Sequence, residues 1–117
     1  MEKLSPKELT MKIISENKLC VLATASLAGK PEAAIIEYTP DEEFNLYFET
    51  FPNYRKYPNM KSNPRASVVI NSLPYTLQMD GIVQELAGKK VEEAKELMIT
   101  KHGLGSGFFS DPNIRFF

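Results

Sequence analysis

Two adjacent cations, Arg55 and Lys56, fall where one element ends and another begins, a placement that suits an anion. Leu46-Tyr47-Phe48 has the composition of a strand end, Pro52 breaks it, and Arg55-Lys56 opens a short helical turn that stops at Asn63-Pro64. Ala66-Ser67-Val68-Val69-Ile70 then resumes as strand. Backbone N–H groups at such a junction lack partners and the helix dipole favours negative charge, so a phosphate is its natural guest. The other reading leaves both residues as solvated turn cations, since lysine and arginine are mostly surface side chains.

Other reactive residues are sparse. Cys20 and His102 are the only cysteine and the only histidine, which excludes an intrachain disulfide and a multi-cysteine metal site. A zinc site or a Ser-His-Asp arrangement would rest on His102 alone, and that residue sits where a helix C-terminus would favour a partly positive imidazole. Cys20 alternates with apolar neighbours and reads as buried filler. Gly103-Leu104-Gly105-Ser106-Gly107 follows a helix and lacks a Gly-Lys-Ser/Thr ending, so it is no phosphate loop. Asp41-Glu42-Glu43 and Glu92-Glu93 read as a turn and a solvated helix face.

The chain has 117 residues, enough for one domain with one core. Fourteen basic and fifteen acidic side chains give a net charge of −1, without the basic excess of a nucleic-acid binder. No apolar run approaches a membrane span, and Met1-Glu2-Lys3-Leu4 is not an apolar signal segment, so a cytoplasmic protein is expected.

The elements that must position the cations follow from periodicity. Ser5-Pro6-Lys7-Glu8 is a capping box with proline at the first helical position, and Leu9, Ile13 and Ile14 share one face, predicting a helix over residues 6–17. Leu19 to Thr24 and Pro31 to Tyr38 make a hairpin about Ser26-Leu27-Ala28-Gly29-Lys30. Asn45 to Thr50 is a third strand, and Arg65–Asn71 and Tyr75–Leu86 pair around Pro74, with Gly81 read as a bulge. Val91, Ala94, Leu97 and Met98 recur at helical spacing up to Gly103, the expected cap. Gly105-Ser106-Gly107 reads as a flexible linker. Phe108, Phe109, Phe116 and Phe117 are too apolar to leave in water on a small monomer and are expected at a dimer interface or over a ligand, unless the tail is disordered. Consecutive strands without intervening helices predict a mainly-β (α+β) domain, with an antiparallel sheet closed into a small barrel.

The ordered set Val21-Leu22-Ala23-Thr24, Gly29-Lys30-Pro31, Leu46-Tyr47-Phe48-Glu49-Thr50, Arg55-Lys56 and Asn63-Pro64-Arg65-Ala66-Ser67-Val68-Val69, with Gly81 beyond, resembles the pyridoxamine 5′-phosphate oxidase-like, FMN-binding split-barrel family. The resemblance spans about residues 5–100 and implies a six-stranded antiparallel Greek-key split β-barrel with flanking helices. It also implies a homodimer with flavin sites at the subunit interface. The flavin phosphate would lie against Thr50, Arg55 and Lys56, with Glu49 and Tyr54 beside it. The backbone of Pro31 to Ile35 would run along the isoalloxazine ring, where the small side chains of Ala33 and Ala34 leave room. Gln78, on the same strand face as Thr76, would reach a flavin held mainly by the other subunit.

Three departures refine what the resemblance implies. Tyr54 stands where many relatives carry a phosphate-binding serine, and Ala34 where the vitamin B6 oxidases carry an arginine. The sequence also stops at Phe117, before the arginine and histidine region with which those oxidases hold substrate. The expected function is therefore FMN-dependent two-electron chemistry on a small organic substrate other than pyridoxamine 5′-phosphate. The alternatives are the deazaflavin F420 as cofactor, or a non-catalytic flavin- or haem-binding module.

Overall fold

The computed structural model describes residues 3–105 and 107–117; Ser106, at the centre of the expected linker, and Met1 and Glu2 in the expected non-signal N-terminus lie outside the described residues. Helix α1, Pro6–Glu16, begins with the expected capping box: Ser5 Oγ accepts from the Glu8 N–H, and the Glu8 carboxylate accepts from the Ser5 N–H, each at 3.1 Å. Its apolar stripe buries Ile13 and Ile14.

Strands β1 (Leu19–Ala25), β2 (Pro31–Glu37), β6 (Arg65–Ser72) and β7 (Tyr75–Ile82) form one antiparallel sheet in the order β2-β1-β6-β7. Between β2 and β6 the chain makes β3 (Thr39–Pro40), β4 (Leu46–Tyr47), β5 (Glu49–Thr50) and helix α2 (Lys56–Ser62). β3 pairs with β4, and β5 pairs with β8 (Arg115–Phe116). Helix α3, Lys89–His102, ends at Gly103, whose left-handed backbone (φ 65°, ψ 35°) returns its N–H to the Ile99 carbonyl at 2.9 Å. The antiparallel split barrel with flanking helices is thus as expected, with eight strands rather than six among the described residues.

Of the short strands, β3 pairs with nearby β4, whereas β5 and β8 come from a pairing no local pattern contains. The expected strand Asn45–Thr50 is interrupted at Phe48, whose backbone exchanges hydrogen bonds with Phe117. Gly81 is not a bulge, because the β6–β7 ladder runs in unbroken register from Arg65–Ile82 to Ser72–Tyr75. β7 ends at Ile82 rather than Leu86, and Val83 N–H turns to the Pro64 carbonyl.

Period-two alternation assigns the two faces of the large sheet. Cys20, Leu22, Ile36 and Ile70 point inward and join Ile14, Tyr38, Phe48, Met60 and Phe117 in the core. Cross-strand pairing aligns Ile35, Val21, Val69 and Gln78 in one row on the outer face. Phe116 packs with Ala94 and Met98 in a second cluster, flanked by Phe109. Phe116 and Phe117 therefore complete the chain's own interior, not an interface or a ligand cover; Phe108 alone of the four remains exposed.

Candidate functional site

Helix α2 packs against β1 and β2, fixed in part by Asn59 Nδ2, which donates to Thr24 Oγ1 at 3.3 Å. The turn that precedes the helix is thereby set beside the sheet edge, and the two enclose a cavity of about 310 Å³. β1 contributes Leu22 and Thr24, β2 contributes Glu32, Ala33 and Ala34, the turn contributes Asn53, Tyr54 and Arg55, and α2 contributes its first residue, Lys56. Five of the residues expected at a ligand, Ala33, Ala34, Tyr54, Arg55 and Lys56, line this one space.

Lys56 Nζ lies 4.8 Å from the centroid of the Tyr54 ring, which also sets its edge against Phe51, with centroids 5.6 Å apart and planes at 71°. Tyr54 is thus a packed platform under a cation. Burial lowers the pKa of the Lys56 ammonium from the ordinary lysine value, and the charge of Glu49 pushes it back up. Burial, then the charge of Glu37, raises the Glu49 carboxyl, against the opposing pull of Lys56. Arg55 is the residue before the first turn of α2; its Nη1 stands 3.1 Å from Glu32 Oε1.

Thr50 is 2% exposed and does not line the cavity; its Oγ1 is buried without a hydrogen-bond partner. Such a group costs about 1–3 kcal/mol if nothing satisfies it. Pro31 and Ile35 are exposed on β2 outside the cavity, and Gln78 is exposed on the outer face of the sheet, in the row with Ile35. β2 is the edge strand of its sheet, so one row of its backbone N–H and C=O groups has no strand partner.

Glu32, Thr24 and Asn53 were not singled out from sequence. The alternation of Pro31-Glu32-Ala33-Ala34 held a usable signal, because it places Glu32 on the same side of β2 as Ala34. Elsewhere, Cys20 is buried and its thiol is pushed up to about 11 by burial, with Lys101 opposing, which fits filler rather than a nucleophile. His102 Nε2 lies 3.0 Å from the Tyr38 carbonyl and Nδ1 lies 3.8 Å from Glu37 Oε2, tying α3 to the end of β2. A larger hollow of about 460 Å³ is walled by core side chains such as Cys20, Phe48 and Met79, and contains neither Arg55 nor Lys56. Among the described residues, no group of three or more His, Cys, Asp or Glu side chains could hold a metal, and no helix is long and apolar enough to cross a membrane.

A family model described as "Pyridoxamine 5'-phosphate oxidase" matches residues 7–106. Among curated proteins none matches the sequence. Among solved structures, a heme binding protein from Mycobacterium smegmatis superposes with a TM-score of 0.81 at 16% identity, covering 99% of this chain and 51% of that one. A Listeria innocua protein provisionally assigned as a pyridoxamine 5′-phosphate oxidase gives a TM-score of 0.77 at 17% identity, covering 96% of this chain and 90% of its own. HutZ, the heme storage protein of Vibrio cholerae, gives 0.69 at 14% identity, covering 98% and 87%. The chain therefore spans about half the length of the M. smegmatis protein and most of the other two. At these identities the likeness is one of fold.

Proposed function

The chain belongs to the pyridoxamine 5′-phosphate oxidase family, and from that premise we propose that it binds FMN at the cavity between β2 and α2 and uses it to oxidise or reduce a small organic substrate. The observation that carries this reading is the convergence of Arg55, Lys56 and Tyr54 with the small residues Ala33 and Ala34 of an edge strand. Arg55 offers a planar fork and Lys56 a compact charge to a phosphate. The unpaired edge of β2 suits the polar rim of a flavin ring, and Ala33 and Ala34 keep side chains clear of it.

When bound, the flavin supplies two-electron transfer, and the protein supplies binding, orientation and electrostatics. A second copy of the chain completes the site in this reading. The outer sheet face carries Leu19, Val21, Ile35 and Ile82 exposed, and Gln78 lies in that face where it would meet the partner's flavin. The substrate would then stack in the groove between copies.

The test is an absorbance spectrum of purified protein titrated with FMN, alongside its mass in solution. Binding at micromolar FMN, lost on Lys56→Ala, is the expected result; no binding, or Lys56→Ala behaving as the parent, overturns it. Bleaching by NADH or NADPH would mark a reductase, and titration with F420 separates the deazaflavin alternative. The haem-module alternative draws on the descriptions of two fold neighbours as heme binding and heme storage proteins. Here His102 weighs against it, because its side chain is 6% exposed and both ring nitrogens face partners. A Soret band on haem addition that disappears in His102→Ala would favour the haem reading.

A further inference from the structure

We propose that Glu32 is an internal occupant of the anion corner, setting the affinity and charge selectivity of the site by competing with the ligand phosphate for Arg55. This inference rests on the flavin-phosphate reading above. Glu32 projects from β2 into the same cavity that Arg55, Lys56 and Tyr54 line. Its side chain is only 17% exposed, whereas that of Arg55 is 81% exposed, so the carboxylate is the sheltered member of the 3.1 Å pair. The guanidinium fork meets a carboxylate and a phosphate through the same donors. A phosphate arriving at Arg55 therefore either displaces Glu32 or is held beside it.

Glu32 is the one carboxylate lining the cavity beside the two cations Arg55 and Lys56, and it is paired with Arg55. Among the described residues Glu32 is the only ion-pair partner of Arg55. A ligand carrying a dianionic phosphate is thus the one most penalised by Glu32, and a flavin without phosphate is indifferent to it.

The discriminating experiment titrates FMN and riboflavin into the parent, Glu32→Gln, Glu32→Ala, Arg55→Ala and the double variant Glu32→Gln/Arg55→Ala, following flavin fluorescence. Both Glu32 variants are expected to bind FMN roughly two- to fivefold more tightly and riboflavin unchanged. Relative to Arg55→Ala, the gain from Glu32→Gln should shrink to less than half. FMN binding that is unchanged or weaker in both Glu32 variants overturns the competition, as does equal tightening of riboflavin, while leaving the flavin reading intact. FMN binding to none of the five proteins overturns both.

Discussion

The ring of Phe117 lies on that of Phe48, with centroids 5.5 Å apart and planes 11° from parallel, while their backbones exchange hydrogen bonds of 3.0 and 2.9 Å. Phe48 leads directly into Glu49 and Thr50, so Phe117 anchors the strand from which the anion corner starts. Tyr57 of α2 sets its edge against the same ring at 5.9 Å. Phe117→Ala removes a buried aromatic from this contact and is expected to cost about 3–5 kcal/mol in urea unfolding. A loss below about 1 kcal/mol, typical of surface changes, would show that this contact does not hold the barrel together.

Lys56 and Arg55 should not contribute equally to phosphate binding. Lys56 is partly buried over Tyr54, whereas Arg55 is largely exposed and already paired with Glu32. A charge-assisted hydrogen bond is worth about 1.5–3 kcal/mol, so Lys56→Ala is expected to weaken FMN roughly ten- to a hundredfold. Arg55→Ala should weaken it less, and neither should change riboflavin affinity. Fluorescence titration reads all four constants, and an equal loss for riboflavin would move Lys56 from the phosphate to the ring.

Glu85 gives the fold an acid-sensitive joint beneath α2. Its carboxylate accepts from Tyr57 Oη at 2.7 Å and meets Lys61 Nζ at 3.1 Å and Arg115 Nε at 3.9 Å. Burial alone would raise this carboxyl, but the hydrogen bonds from Tyr57 and Lys61 and the nearby charges outweigh it, leaving the group below its ordinary value of 4.5. A depressed carboxyl contributes stability that is fully present above the unfolded value and is lost as pH falls through the folded one. Urea unfolding from pH 7 to pH 3 should therefore show a loss below about pH 4.5 that is shallower in Glu85→Gln. At pH 7 that variant should be less stable by about 1–2 kcal/mol. An unaltered acid slope would remove Glu85 from the account.

The parts of the fold legible in sequence are those whose partners lie nearby in the chain. Ser5 and Glu8 announce α1, Gly103 closes α3, and the alternation along Leu19–Ala25 shows which side chains enter the core. The strands β5 and β8 were not legible, because Thr50 opposes Arg115, and beside them Phe48 opposes Phe117, across more than half of the chain's length. The same distance hid the burial of Phe116 and Phe117, which composition alone shows only as apolar surface needing cover. At the site, Arg55 and Lys56 were visible as a local pair. Glu32 became part of that site only when β2 and the α2 turn met in space.

With Phe116 and Phe117 buried internally, the apolar surface that still needs cover is the outer sheet face. Ile35 is 69% exposed and Ile82 72%, and the row Ile35–Val21–Val69–Gln78 crosses all four strands. A face of this kind on a small domain marks an association site, and under the proposed function a second copy of the chain would bring Gln78 to the flavin. Light scattering should give the mass of a dimer for the parent. Ile35→Glu places a charge on this apolar face, without touching the core, and should shift the mass toward monomer at micromolar concentration with little change in the unfolding of the monomer itself. If the groove needs both copies, the same variant should also weaken FMN. A dimeric Ile35→Glu protein with parental flavin affinity would put the subunit contact elsewhere on the barrel.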